Sequence, residues 1–271
     1  MKVDIFIVGG QKCGTTALHS FLSEHHQIKA GKQKEIDFFS YDAQYKKGFD
    51  YYHSFFKLNL YEKYIEKIKL VDASPSYLAD NKTHTTADRI VKYNRNANII
   101  ILVRNPIKRA FSAYMMYKNR YYGGREGWWF DWIKKRGGNP EDVVKRNIED
   151  YRSFDVFIEN ELKAIEQNKS IECSVLKQGL YSNYIEVYKQ YFKKVLVISN
   201  ESLNKETDNT LKKLMKELSL KPFKKEFENH KVFKGKYDEE ISEQTFSILN
   251  KFYFSSNKDL NNKFGINYTN T

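Results

Sequence analysis

Lys12, Gly14, Thr15 and Thr16 stand close together near the start of the chain, within Val8-Gly9-Gly10-Gln11-Lys12-Cys13-Gly14-Thr15-Thr16-Ala17-Leu18. A lysine charge, two hydroxyls and three glycines in so short a stretch suit an anion. Glycine turns tightly and leaves its N–H groups unshielded, and the start of a helix adds free N–H groups and a partial positive charge. Together they form a cradle for a phosphate or a sulfate, which Gln11, Cys13 and Ala17 complete. The lysine comes two residues before Gly14, so this is not the Walker A order, in which lysine follows the last glycine. The competing reading is a plain strand–turn–helix connection with an incidental lysine.

Three further stretches carry chemistry. In Lys32-Gln33-Lys34-Glu35-Ile36-Asp37-Phe38-Phe39 a carboxylate is flanked by lysines and followed by aromatics, a setting for a general base at Glu35. Read as an extended segment, it puts Glu35 and Asp37 on one face. Asn98–Val103 runs straight into Arg104-Asn105-Pro106, and an arginine at a strand's carboxyl end can bind an anion through two N–H groups. All three tryptophans fall within Trp128–Trp132, inside a stretch at 118–150 with several glycines. Trp128 and Trp129 either stack on a sugar, as part of a lid on the acceptor side, or pack onto the core.

The elements that must position these residues alternate. Val3–Val8 reads as a buried strand, 17–26 as a helix, Tyr61–Lys69 as a helix and Leu70–Tyr77 as a strand entering a loop. Thr83–Tyr93 reads as a helix, Asn98–Val103 as the clearest buried strand, and Ile107–Tyr117 as a helix. Later come helices over Phe154–Asn168 and up to Tyr191, a strand over Val195–Ile198, and helices over Thr210–Leu218 and about 239–252. The pattern predicts an α/β fold with a mostly parallel sheet flanked by helices, a single domain over 1–271 with an insertion at 118–150. Both anion motifs follow the carboxyl end of a strand, where such folds bind ligands.

Composition sets limits on function. The chain has 271 residues, 41% of them hydrophobic, so it is globular and long enough for a sizeable core. A net charge of +12 draws polyanions, among them nucleic acid, acidic glycans and polyphosphorylated cofactors. Two cysteines, Cys13 and Cys173, give no disulfide framework. No run of eighteen apolar residues occurs, and a strand from Val3 leaves no room for a signal peptide, so a soluble cytoplasmic protein without membrane insertion is expected. His25 and His26 read as solvated residues at a helix end, and no histidine–cysteine cluster has metal-ligand spacing.

The order lysine, any residue, glycine, threonine, threonine resembles the 5′-phosphosulfate loop of sulfotransferases that use 3′-phosphoadenosine 5′-phosphosulfate (PAPS). Its lysine form resembles the heparan sulfate N- and 3-O-sulfotransferase branch. Lys34-Glu35-Ile36-Asp37-Phe38-Phe39 resembles that branch's lysine-glutamate-x-histidine-phenylalanine-phenylalanine stretch, which makes Glu35 the base and puts Lys34 on the acceptor side. Asp37 stands where the family has histidine and is the rival base. Leu70–Tyr77 resembles the glutamate-lysine-(threonine or serine)-x-x-tyrosine segment, with Asp72 for the glutamate, on the substrate side, and Ala73 in place of the lysine. Strand, Arg104-x-Pro106 and Ser112 resemble the 3′-phosphate motif. Gly179-Leu180-Tyr181 resembles the helix start whose tyrosine lies near the cofactor. Phe233-Lys234-Gly235-Lys236 resembles the late loop that closes over the 3′-phosphate, with Lys236 in place of arginine.

The resemblance covers most of 3–265 and implies a P-loop-like sulfotransferase fold. It implies PAPS as donor, PAP as product, no metal, Lys12 offsetting charge on the leaving group, and an acceptor hydroxyl or amine on a carbohydrate. Small-molecule, lipid and tyrosine acceptors are alternatives. An ATP-dependent kinase lacks its Walker lysine here, and no nucleic-acid module is recognised, so nucleic acid is not expected as a partner.

Overall fold

The computed structural model describes residues 1–78, 82–135, 137–227 and 239–269. In chain order the elements are β1 (Ile5–Gly9), α1 (Thr15–Ser23), β2 (Ile28–Ala30), α2 (Asp42–Tyr45), α3 (Gly48–His53), α4 (Leu60–Tyr64), β3 (Lys69–Ala73), α5 (Thr83–Tyr93) and β4 (Asn98–Val103). They continue with α6 (Pro106–Tyr122), α7 (Trp128–Lys135), β5 (Val143–Val144), α8 (Phe154–Glu166), β6 (Ser170–Ile171), α9 (Tyr181–Tyr191), β7 (Val195–Ser199), α10 (Asn200–Lys205), α11 (Thr207–Glu217) and α12 (Glu243–Phe264). The described chain forms two compact units, one from Met1–Ser40, Gln44–Arg104 and the described part of Tyr184–Lys234, the other from Tyr41–Ala43, Asn105–Asn183 and the described part of Gly235–Thr271.

The first unit is built on a five-stranded sheet in the order β2-β3-β1-β4-β7, every neighbouring pair parallel. Parallel sheets are covered on both faces, so their strands read as continuous apolar runs. That is why β1 is buried along its length and β4 at every residue after Asn98. Helix α1 packs on β1, β2 and β3 through Ala17, Leu18, Phe21 and Leu22. An aromatic cluster fills the space beside β1: Phe6 meets Phe39 edge-on at 5.6 Å, and Phe38 stacks on Tyr52 at 4.7 Å.

The second unit is mainly helical, with β5 and β6 as a small parallel ribbon. Its core gathers Phe111, Tyr114 and Tyr117 of α6, Phe154 and Phe157 of α8, and Leu249 and Tyr253 of α12. It also buries charge. The Glu161 carboxylate accepts from the N–H groups of Val175 and Leu176 at 2.7–2.9 Å and lies 3.5 Å from the Arg146 guanidinium. Leaving out either partner would strand an uncompensated charge in the core.

Several elements depart from their expected bounds for identifiable reasons. The helix expected over Tyr61–Lys69 stops at Tyr64; Lys67 takes a left-handed conformation, and Lys69 already pairs with Ile28 in the sheet. The last helix starts at Glu243 because Ser242 caps it, its hydroxyl accepting from the Thr245 N–H, and it runs to Gly265, whose left-handed backbone ends it. His25 is not solvated: it is 2% exposed, with Nε2 2.8 Å from the Lys221 carbonyl, whereas His26 is exposed as expected. No helix among the described residues is long and apolar enough to cross a membrane.

Candidate active site

Strands β3, β1 and β4 end side by side. Ile7 lies opposite both Ala73 and Ile100, and Gly10 N–H donates to the Leu102 carbonyl at 2.8 Å, which carries the alignment past the last residue of β1. The segments after Gly9, Ala73 and Val103 therefore leave from one edge of the sheet, the edge where parallel α/β folds bind ligands.

The first segment is the lysine loop. A turn closed by Cys13 N–H on the Gly10 carbonyl (3.1 Å) brings the chain into α1. Lys12 sits at φ 63° and Gly14 at φ 93°, both left-handed. Gly14 is required twice over: an L side chain strains at that φ, and a Cβ there would lie 2.5 Å from the Asn200 side-chain nitrogen. Gly14 is also the N-cap of α1, and no side chain caps this end. The N–H groups of the first turn have no intrahelical acceptor, and the helix dipole adds positive charge to them. By contrast α6 is capped by Asn105, whose side-chain oxygen accepts from Lys108 N–H at 3.0 Å. Thr16 is exposed, Lys12 half-buried, and Cys13, Thr15 and Ala17 have buried side chains, so those three can offer an anion little more than backbone.

Two side chains hold this loop from behind. Arg104 Nη1 donates to the Lys12 carbonyl at 3.2 Å, and Asn200 Nδ2 donates to the Cys13 carbonyl at 3.1 Å. Asn200 was not picked out in the sequence. The signal was there: it follows β7 directly, as Arg104 follows β4.

The second segment carries the acidic residues, and here the extended-strand expectation is corrected. Residues 32–39 form a loop in which Glu35 (φ 61°) and Asp37 (φ 56°) are both left-handed, so strand alternation does not apply. The loop is stapled to the end of β3: Glu35 N–H donates to the Ala73 carbonyl at 3.0 Å, and Asp37 N–H to the Ser74 hydroxyl at 3.1 Å. Phe38 and Phe39 anchor its far end in the core. The two carboxylates then differ. Glu35 is 54% exposed and pairs with Lys34 Nζ at 2.7 Å, while the half-buried Asp37 accepts a short hydrogen bond from the Ser76 hydroxyl. The Lys34 charge also reaches α1: burial first, and Lys34 second, hold the His19 imidazole below its ordinary pKa.

Asp72 is not a substrate contact. It is 1% exposed, and its carboxylate accepts from Tyr52 (2.9 Å), Tyr77 (2.8 Å) and Ser74 (2.8 Å). Burial raises its pKa, and the three hydroxyls oppose the rise. Its role is to tie α3, β3 and the turn at Pro75–Leu78 together under the acidic loop.

The remaining residues lie in the second unit or outside the described residues. Ser112 is buried on α6, and Tyr181 is fully buried at the start of α9. Trp129 is 4% exposed, edge-on to Tyr117 and stacked on Trp132 at 4.7 Å, so of its two readings, sugar stacking or core packing, the structure favours core packing. Trp128 is half-buried, stacked on Tyr117 with the Arg120 guanidinium 4.4 Å from its ring centre. Lys234, Gly235 and Lys236 lie outside the described residues. Among the described residues no group of histidine, cysteine and acidic side chains is arranged to hold a metal.

Comparison with known proteins identifies the family. The family model described as "Sulfotransferase domain" matches residues 2–267, and the chain belongs to that family. A bifunctional heparan sulfate N-deacetylase/N-sulfotransferase 1 of Caenorhabditis briggsae is 27% identical over 234 residues, 84% of this chain and 23% of that protein. A mouse heparan sulfate glucosamine 3-O-sulfotransferase 5 is 34% identical over 108 residues, 40% of this chain and 29% of that protein. The chain thus spans about a quarter of the length of the curated relatives it matches. The crystal structure of a sulfotransferase from Alicyclobacillus acidocaldarius superposes with a TM-score of 0.66 at 23% identity, covering 97% of this chain and 95% of that one; the likeness is one of fold.

Proposed function

We propose that this chain, acting as one catalytic domain, moves a sulfuryl group from PAPS to an acceptor hydroxyl or amine on a carbohydrate. One observation carries the reading: the uncapped start of α1, with Lys12 and Thr16 beside it and Arg104 behind it, opens at the sheet edge where Glu35 is held. The residues present fit a phosphosulfate, since the loop offers backbone N–H groups, a hydroxyl and an ammonium. The family relationship supports PAPS as donor, and the names of the heparan sulfate relatives support a glycan acceptor.

PAPS supplies the sulfuryl group when bound. The chain's own residues do the rest. Lys12 and the first-turn N–H groups of α1 offset negative charge on the phosphate side of the bond that breaks, which is electrostatic stabilisation of the transition state. Glu35 takes the proton that the acceptor oxygen or nitrogen gives up as it bonds to sulfur. Glu35 is preferred over Asp37 because its carboxylate is exposed to an incoming acceptor and held only by Lys34 at the surface, whereas Asp37 is half-buried and bonded to Ser76. Lys34 holds Glu35 and keeps the site electropositive.

The test is calorimetric titration with PAP against ATP–magnesium, followed by mass spectrometry of heparan-type oligosaccharides, phenols and tyrosine peptides incubated with PAPS. Binding of PAP and a sulfo-group mass gain on the oligosaccharide are expected. Heat with ATP–magnesium and none with PAP overturns the donor; sulfation confined to a phenol or peptide overturns the acceptor.

A further inference from the structure

The carbonyl of Cys13 is held by a side chain from a distant part of the chain. Asn200 Nδ2 donates to it at 3.1 Å, and the same nitrogen lies 2.5 Å from where a Cβ on Gly14 would fall. An asparagine amide can present either its oxygen or its nitrogen. Here the Cys13 carbonyl, which can only accept, takes the nitrogen, and one helical turn later Asn204 Nδ2 donates to the remaining Asn200 Oδ1 at 3.0 Å. With its oxygen occupied, Asn200 turns its N–H₂ to the loop. The base of this arrangement is itself secured: Ser199 caps α10, its hydroxyl accepting from Ser202 N–H at 3.0 Å, and β7 is paired to β4 along its length. The loop is thus gripped on two successive carbonyls, Lys12 by Arg104 and Cys13 by Asn200.

We propose that Asn200, oriented by Asn204, is a positioning residue that pulls the Cys13 carbonyl back and so presents the N–H groups of Gly14–Ala17 to the donor's anionic group. Peptide planes are rigid, so fixing a carbonyl on one side of the loop sets the direction of the N–H that follows. Asn200 makes no contact with donor or acceptor in this scheme; it acts through the loop. The inference rests on the reading of this loop as the donor site.

The test uses the full chain with Asn200→Ala, Asn200→Asp, Asn204→Ala and the double variant Asn200→Ala/Asn204→Ala. Three quantities are read: PAP affinity by calorimetry, KM and kcat for PAPS at a fixed acceptor, and the amide ¹⁵N shifts of Gly14–Ala17 on titration with inorganic phosphate. Loss of one neutral hydrogen bond predicts PAP binding weaker by about 3- to 10-fold in Asn200→Ala, KM raised to match, kcat changed less, and Tm lowered by no more than about 4 °C. Asn200→Asp keeps the shape and the Asn204 contact but loses the donor, and is expected to bind PAP at least as poorly. Asn204→Ala shifts affinity the same way by less, and the double variant equals Asn200→Ala, because Asn204 works only through that amide.

PAP affinity and phosphate shifts unchanged in Asn200→Ala overturn the inference, as does an additive double variant. A wild-type protein that responds to phosphate but not to PAP overturns the PAPS reading alone, and the phosphate arm then decides the role of Asn200. No response to either anion overturns both.

Discussion

Arg104 holds the backbone of Lys12: its Nη1 lies 3.2 Å from the Lys12 carbonyl oxygen. The arginine that ends β4 and the lysine that follows β1 are therefore one assembly, although 92 residues separate them. An arginine in this position adds its charge to the site and also sets where the lysine stands.

Arg104→Ala is expected to weaken PAP binding by about 10- to 100-fold, the loss of a charge-assisted contact. Because Lys12 loses its brace, turnover at saturating PAPS should fall as well, by a smaller factor. Arg104→Lys keeps a charge but cannot both brace a carbonyl and face an anion with a planar fork, so it should recover only part of the affinity. Calorimetry and single-turnover rates on the two variants check this; PAP affinity preserved in Arg104→Ala removes Arg104 from the site.

The base is tested by shape-preserving amides. Glu35→Gln is expected to lower turnover by about 10²- to 10⁴-fold with PAP affinity nearly intact. Asp37→Asn should act mainly through its hydrogen bond with Ser76 and cost less turnover. Steady-state rates with one verified acceptor compare the two. Near-normal turnover in Glu35→Gln with collapse in Asp37→Asn transfers the catalytic role to Asp37.

His25 predicts a pH dependence of stability. Its Nδ1 accepts from Gln27 N–H at 3.1 Å, which leaves Nε2 to donate to the Lys221 carbonyl, so the folded state holds the neutral ring. Burial lowers the His25 pKa from 6.5, with the Lys221 carbonyl opposing the shift. Below that ordinary value the unfolded chain takes up a proton that the folded chain refuses. The stabilisation is therefore present above about pH 6.5 and is lost as pH falls toward the depressed folded value. His25→Gln should be less stable at neutral pH and show a flatter decline on acidification. Urea unfolding at about pH 7.5 and about pH 5 measures both slopes; parallel slopes in wild type and variant count against this role. His19, His26 and His53 are shifted in the same direction, so the variant removes one part of the slope.

Trp129 belongs to the core of the second unit, so Trp129→Ala should cost about 3–5 kcal/mol of stability. Its indole N–H is buried with no hydrogen-bond partner among the described residues, and Trp129→Phe removes that group while keeping an aromatic ring. The expected cost is then smaller than that of Trp129→Ala, because less volume is removed from the core. Differential scanning calorimetry distinguishes the two. A folded, stable Trp129→Ala with a raised acceptor KM restores the stacking role.

The parts legible in the sequence are those fixed by neighbours along the chain. Thr83–Tyr93 and Asn98–Val103 appear with their expected bounds, because a helical apolar stripe and an unbroken apolar run need no distant partner to be read. The lysine loop was legible for the same reason, as a strand, a glycine turn and a helix in direct succession. The acidic loop was not. Its two left-handed residues are imposed by the Ala73 carbonyl and the Ser74 hydroxyl, which lie far along the chain. Asp72 was misjudged for a related reason: nothing near it in sequence announces that Tyr52 will close over it. Asn200 escaped because its partner is a backbone carbonyl 187 residues away, which no pattern of side-chain types displays.

The strand order β2-β3-β1-β4-β7 has an evolutionary consequence. Arg104 and Asn200 hang from β4 and β7 on one flank of β1, whereas Glu35 and Asp37 are stapled to β3 on the other. The two flanks are inherited in different stretches of sequence and meet only at the central strand. Under the proposed function, the residues assigned to the acceptor and those assigned to the donor can therefore vary separately in sequence. Under the proposed function, acceptor choice would be written on the β3 flank and donor choice on the β4–β7 flank.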